Sequence, residues 1–236
     1  LEAFYSEGTQ AKAPRRSPRS TASGARRSVR SPRAARRASA SSGDDGEAIA
    51  LVGLSGRFPG ARDAEALWSV LRDGVEAVSE VSPGRFDVHA YYGDPQREAG
   101  VTDCKWLGQL PGIAEFDPLF FGIAPAEAEA MDPRQRLLLQ VAWAALEDAG
   151  YGADRLGGES IGLFAGVEQG DYQQLLGAGA DITGNHDGIL AARLAYALDL
   201  DGPTLSLNTS CSSGLVALHQ ACNSLRLGEC EVAVVG

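Results

Sequence analysis

The stretch from Gly202 to His219, GPTLSLNTSCSSGLVALH, holds the residues best placed for covalent chemistry. The run Thr204–Asn208 reads as a strand, a tight polar turn follows, and a helical pattern leaves it from Ser212 to Leu227. Cys211 falls in the turn. The first N–H groups of a helix have no partner inside it, and the helix dipole presents positive charge there. A cysteine held at that point is favoured as the thiolate, the nucleophilic form. The same N–H groups can receive the oxyanion of a tetrahedral acyl intermediate. Ser212 and Ser213 are small and polar, and Gly214 allows close backbone approach, so the arrangement has the mechanics of a nucleophile elbow with Cys in place of Ser. Position alone leaves a second reading open, because a free cysteine is commonly a small buried hydrophobe. Cys222, on the stripe Leu215, Leu218, Cys222 and Leu225, is expected in the core, as is Cys230.

The other residues able to do chemistry are poorly placed for it. His219 lies eight residues past Cys211, about 12 Å along a helix at 1.5 Å per residue, beyond hydrogen-bond reach, and is expected near the helix surface. His186, in TGNHDG, belongs to a loop before a helix, and His89 to an irregular, solvated region. Arg134 and Arg136 read as an exposed helix face, and Glu127 and Glu129 as a solvated segment. Gly53, Gly56 and Gly60 follow a strand pattern but match neither GxGxxG nor GxxxxGK[ST], which argues against nucleotide binding. The four cysteines contain no CxxC pair and no histidine at zinc spacing, so neither structural zinc nor a disulfide framework is expected.

The elements that must position Cys211 follow from pattern and punctuation. Ala48–Val52, a short apolar run, is expected as a buried strand. Asp63 is an N-cap for a helix bearing Leu67, Trp68 and Leu71 and stopped by Gly74. Residues 75–130 read as irregular. Asp132-Pro133 starts a helix that runs to Ala149, with Leu138, Val141, Ala142, Ala145, Leu146 and Ala149 as its apolar stripe and Gly150 as its end. Ser160–Ala165 is a strand, Ile189–Leu198 a helix and Val232–Val235 a strand. Strands alternating with helices predict an α/β layered fold.

Charge divides the chain. Residues 1–42 carry ten basic and two acidic side chains, a net +8, which leaves −18 for the rest of a chain whose total is −10. Residues 1–10 read as the end of an upstream domain. Residues 11–46 are rich in Arg, Ser, Ala, Pro and Gly, cannot bury enough surface to offset their ordering entropy, and are expected as a disordered basic linker. RRSPRS and RRSVRSPR also resemble arginine–serine tracts that bind nucleic acid. No aromatics interleave with these arginines and the remainder is acidic, so nucleic acid is not the expected partner. The 236 residues open on Leu1 and close on Gly236 just after an apolar run, so the chain is read as a fragment of a longer protein, with the folded part spanning 47–236. No apolar run approaches the roughly 20 residues of a membrane helix, no secretory signal is recognised, and a reducing, cytoplasmic compartment is expected.

NTSCSSGLVALHQAC resembles the DTACSSSLVA-type segment of the β-ketoacyl synthases of polyketide and fatty acid assembly, with Cys211 at the nucleophile position. IALVGLSGRFPGA, FDPLFFGIAPAEAEAMDPRQRLLLQVAWAALEDAG and GILAARLAYALDLDGP resemble further family segments in the same order. The resemblance covers about residues 47–236. It implies the first half of a thiolase-like αβαβα fold in which Cys211 accepts an acyl group from the phosphopantetheine of an acyl carrier protein. A malonyl carrier then loses carbon dioxide and its carbanion attacks the thioester. It also implies a homodimer with Thr204–Asn208 at the interface, and no cofactor bound directly. The two histidine motifs that the family uses for decarboxylation do not occur here, so these residues alone are expected to be inactive. The alternative is a gatekeeper that accepts acyl chains without condensing them. GVEQGDYQ, TGNHDG and the SCSSG variant look most like ketosynthases served by a separate acyltransferase.

Overall fold

The computed structural model describes residues 48–152, 156 and 160–236. The expectations for residues 1–46 lie outside the described residues. The core is a three-stranded parallel sheet in which β3 (Ile161–Gly166) lies between β4 (Thr204–Leu207) and β5 (Val232–Val235). Leu163 pairs with Thr204 and Gly166 with Leu207 on one side, and Ile161 pairs with Val232 and Phe164 with Val235 on the other. Parallel neighbours need long crossovers. These are supplied by α6 (Asp187–Leu198), which leads into β4, and α7 (Ser213–Leu227), which leads from β4 to β5.

Residues alternate across a strand, and β3 shows what that does to a central strand. Ile161, Leu163 and Ala165 join one buried cluster with Leu139, Ala142 and Leu146 of α3 (Pro133–Asp148) and Leu190, Ala191 and Leu194 of α6. Phe164 joins the other, with Ala217 and Ala221 of α7 and Cys230. The sheet is therefore covered on both faces, which is why β3 reads as a continuous apolar run rather than an alternating one. Burial of Phe164, wholly inaccessible, is worth roughly 1.5–3 kcal/mol. The α/β layered expectation is met in these residues.

The caps agree with the sequence. Asp63 accepts from the Ala66 amide at 2.8 Å at the start of α1 (Ala64–Arg72). Asp132 accepts from the Arg134 amide at 2.8 Å at the start of α3, with Pro133 as its first residue. Gly150, at φ +80°, ends α3 in a conformation costly for a residue with a Cβ. Between α1 and α3 the chain is largely irregular, as expected. It contains a two-residue pairing of β1 (Ser79–Glu80) with β2 (Trp106–Leu107), a single bridge between Tyr92 and Thr102, a 3-10 turn at Val88–Ala90, and the short α2 (Pro125–Ala130). The short α4 (Tyr172–Leu176) and α5 (Ile182–Asn185) had no periodic signature to announce them.

Four expectations are corrected. Ala48–Val52 is not a buried strand: it makes no ladder, and Leu51 and Val52 are 80 % and 59 % exposed. The segment has no strand partner among the described residues. It runs instead over the end of α3, where the Leu54 amide donates to Asp148 at 2.9 Å. On α3 the buried positions are Gln135, Arg136, Leu139, Ala142 and Leu146, so the packed face is rotated from the expected stripe. On α7 the buried positions are Ser213, Ala217, Ala221 and Ser224, while Leu215 and Leu218 are exposed and Cys222 is only half-buried. Small side chains face inward because this helix approaches the sheet too closely for leucine.

The fourth concerns Arg134 and Arg136, which do not form an exposed face. Arg136 is buried and lies 5.9 Å from the Tyr172 ring centre. Arg134 donates to both oxygens of Asp132 at 3.0 and 2.8 Å, to Asp187 at 2.8 Å, and to the Glu168 carbonyl. These bonds, that to Asp132 first, raise the Arg134 guanidinium above its ordinary value, with partial burial opposing. The cluster ties the start of α3 to the start of α6, and the Asp132 amide donates to Gly184 at 2.9 Å. Asp132→Ala removes a cap worth about 1 kcal/mol and leaves a half-buried guanidinium short of its main partner. The expected total cost is about 3 kcal/mol, or roughly 6–12 °C in thermal midpoint. A shift under about 2 °C in a melting experiment would show that the cluster contributes little.

Candidate active site

β4 ends at Leu207 and α7 begins at Ser213, and the five residues between form an exposed turn. Several backbone groups of the turn are tied down. The Ser210 amide donates to the Asn208 side chain at 3.1 Å. The Thr209 amide donates to Ser213 Oγ at 2.8 Å, and the Ser213 amide donates to the Ser210 carbonyl at 2.9 Å. Ser210 stands at φ +55°, a left-handed conformation uncommon outside glycine. Such a conformation persists only where its surroundings hold it. The sharp turn it makes leaves Cys211 exposed at the apex, one residue before the helix N-cap, Ser212.

The helix that follows is seated directly on the sheet. A Cβ placed on Gly166, at the end of β3, would come within 2.7 Å of both the Gly214 nitrogen and the Ser213 carbonyl carbon. Only glycine permits this contact, and it fixes the height of the helix start above the strand. Among the described residues no backbone acceptor takes the Gly214 or Leu215 N–H groups, so they are available at the foot of the turn, as the first N–H groups of a helix usually are. An exposed cysteine just before a helix whose first N–H groups are unpaired is an arrangement suited to acyl transfer. Gly214 replaces the serine of the family pattern, and a Cβ added there meets nothing within 4 Å. The position therefore has room for the side chain that the family pattern places there.

The remaining cysteines are placed differently. Cys230 is buried, and burial pushes its thiol above the usual value. Cys104 is exposed at a distant irregular segment. His219 is exposed on α7 and bonds the Asn223 side chain at 3.1 Å, in line with a surface role. His89 is exposed, 3.5 Å from Glu80, and Glu127 and Glu129 are exposed, Glu127 pairing with Arg193. His186 caps α6: its Nδ1 accepts from the Gly188 amide at 3.1 Å. It also borders an open polar hollow with Gln169, Gln173, Asn185, Asp187 and Asn208. Asn208 belongs to both the hollow and the turn, which puts the hollow beside Cys211. The hollow was not legible as such in the sequence, since its residues come from three separated segments. The available signal was the pair of motifs GVEQGDYQ and TGNHDG, which supply all of its lining but Asn208. Among the described residues no group of three or more His, Cys, Asp or Glu is arranged to hold a metal, and no helix is long and apolar enough to cross a membrane.

Residues 46–236 match the family described as "Beta-ketoacyl synthase, N-terminal domain". The chain belongs to the β-ketoacyl synthase family. It is 55 % identical over 188 residues to the polyketide synthase ThaG of Burkholderia thailandensis and 48 % identical over 190 residues to PksM of Bacillus subtilis. Each alignment covers 80 % of this chain, but only 3 % of ThaG and 4 % of PksM. Among solved structures it is similar to the ketosynthase from module 6 of the bacillaene synthase of Bacillus subtilis 168, with a TM-score of 0.69 and 41 % identity. That match covers 79 % of this chain and 30 % of the other. The oxazolomycin ketosynthase domain OzmH KS7 of Streptomyces albus JA3453 gives a TM-score of 0.73 and 39 % identity, covering 79 % and 34 %. The fold is therefore the thiolase-like fold of polyketide ketosynthase domains, and these residues make up part of one.

Proposed function

We propose that this chain carries the acyl-accepting half of a decarboxylative condensing enzyme, with Cys211 as the nucleophile. The observation that carries this reading is the exposed cysteine on a strained, hydrogen-bonded turn at the start of α7, in a chain of this family. The Cys211 thiolate attacks the thioester carbonyl of an acyl chain borne on the phosphopantetheine of an acyl carrier protein. The carbonyl oxygen becomes an oxyanion beside the free N–H groups of α7, the pantetheine thiol leaves and takes a proton, and the acyl group remains on Cys211. A malonyl carrier then releases carbon dioxide. Its carbanion attacks the Cys211 thioester, giving a β-ketoacyl chain two carbons longer and freeing the thiolate. This makes the protein an acyltransferase of the β-ketoacyl synthase type.

The residues that protonate and stabilise in the second half-reaction are not supplied by His89, His186 or His219, so the described residues alone are expected not to condense. The substrates are carried by the partner, and no cofactor is needed at Cys211. GVEQGDYQ and TGNHDG border the polar hollow, consistent with an assembly line served by a separate acyltransferase, and the compartment is read as cytoplasmic. The test is chain elongation by the synthase that carries these residues, given acyl and malonyl carrier proteins. A β-ketoacyl product supports condensation. Acylation without extension would show a gatekeeper instead.

The edge of β4 is proposed as a homodimer contact. Its outer side has no strand partner among the described residues, and Leu205 on β4 and Leu215 and Leu218 on α7 are exposed. An uncovered apolar edge invites uncontrolled pairing. Sedimentation of the ketosynthase domain is expected to give a dimer, weakened at least about tenfold by Leu205→Asp. A monomeric parent domain would rule the contact out.

A further inference from the structure

We propose that Ser213 is the positioning residue of the nucleophile turn. This inference rests on Cys211 being the acyl acceptor. Ser213 is only 6 % exposed, though it lies two residues from an exposed apex. Its Oγ accepts the Thr209 N–H at 2.8 Å and donates to the Ser210 carbonyl at 2.7 Å, with the Val167 carbonyl a further acceptor at 3.2 Å. One hydroxyl thus holds both residues that precede Cys211 and joins them to the chain leaving β3. A hydroxyl has a single proton, so the short bond to Ser210 is the principal donation. That bond acts on the residue held at φ +55°. Without it, the turn loses an internal tether on the side from which Cys211 is presented.

Ser212 is a different case. Its Oγ donates to the Thr209 carbonyl at 2.8 Å and lies 2.8 Å from Thr209 Oγ1. Because its own proton is used on the carbonyl, Thr209 Oγ1 is the donor of the second contact. Both are exposed, so water can replace them at little cost. No water reaches the buried Ser213 hydroxyl as readily. The placement of Cys211 therefore depends on the second serine after it rather than on the first.

A matched control exists on the same helix. Ser224 is also buried, at 7 % exposure, and its hydroxyl donates to Glu229 at 2.6 Å, far from the turn. The experiment uses the ketosynthase domain that carries these residues, with iodoacetamide as probe. The alkylation rate of Cys211 is read by peptide mass spectrometry as a ratio to that of exposed Cys104 in the same molecule. Ser213→Ala is expected to lower the ratio about tenfold, the scale of one hydrogen bond. Ser224→Ala is expected to lower the thermal midpoint as much as Ser213→Ala does and leave the ratio unchanged. Ser213→Thr, which keeps the hydroxyl, is expected to restore the ratio. Ser213→Gly, which removes the hydroxyl without leaving a methyl, is expected to behave as Ser213→Ala. An unchanged ratio in Ser213→Ala and Ser213→Gly, or an equal fall in Ser224→Ala, overturns the proposal. The underlying reading is tested apart from this, by acetyl-pantetheine labelling of the parent and of Cys211→Ala. A label that persists in Cys211→Ala removes the reading itself, whatever the ratio does.

Discussion

Gly166→Ala is expected to cost about 3 kcal/mol of stability and to slow acyl transfer to Cys211 about a hundredfold, while Gly214→Ala, across the same contact, is expected to be tolerated. The added methyl at Gly166 would lie 2.7 Å from the Gly214 nitrogen and from the Ser213 carbonyl carbon. Both are backbone atoms and cannot swing aside as a side-chain tip would. Either β3 or the start of α7 must move. Overpacking of this kind costs typically 1–3 kcal/mol and sometimes more. β3 is the central strand, paired on both sides and fully buried from Ile161 to Ala165, so the helix start is the part that yields. A displacement of the nucleophile by about 1 Å can cost on the order of a hundredfold in rate. At Gly214 the added Cβ meets nothing within 4 Å. Alanine there should be neutral or better, since it is favoured over glycine in a helix by up to about 1 kcal/mol. Equal behaviour of the two variants, in thermal melts and in acylation rate, would contradict the seating of α7 on Gly166.

How the site could be read in advance follows from the same contact. The strand, turn and helix around Cys211 were legible because each carries a local signal: β-branched and leucine residues, then small polar residues, then a helical period. The observed β4 and α7 lie within one residue of the expected bounds, and β5 coincides. The inward face of α7 was not legible. Pattern reading assumes that the largest apolar residues are buried, and it chose Leu215 and Leu218. A helix that rests on a glycine strand end buries its smallest residues instead. Arg134 and Arg136 escaped for a related reason. Asp132, the neighbour that holds Arg134, was read only as a cap, and the other partners Asp187, Glu168 and Tyr172 are distant in sequence, so both charges were taken as solvated. Ala48–Val52 had the composition of a strand, but composition does not supply a neighbour to pair with. The hollow beside Asn208 is likewise a property of tertiary assembly and of no single segment.

The exposed side chains of Leu51, Val52 and Leu54, and of Trp68 and Leu71 on α1, form further apolar surface among the described residues. Surface of this extent is a general mark of interaction. It agrees with the small share, 30 % and 34 %, of the two ketosynthase chains that these residues cover.

The decisive measurement is the intact mass of the ketosynthase domain after incubation with acyl-pantetheine thioesters, acetyl and longer, compared with a Cys211→Ala variant that melts at the same temperature. The parent is expected to gain the mass of one acyl group, mapped to the peptide containing Cys211. The variant is expected to gain none, a loss of at least about 10³-fold for removal of a nucleophile. Cys104 remains in the variant as an exposed thiol, so the comparison also separates a placed nucleophile from a merely accessible one. An adduct of equal yield on the variant would place the acyl acceptor elsewhere and contradict the central claim.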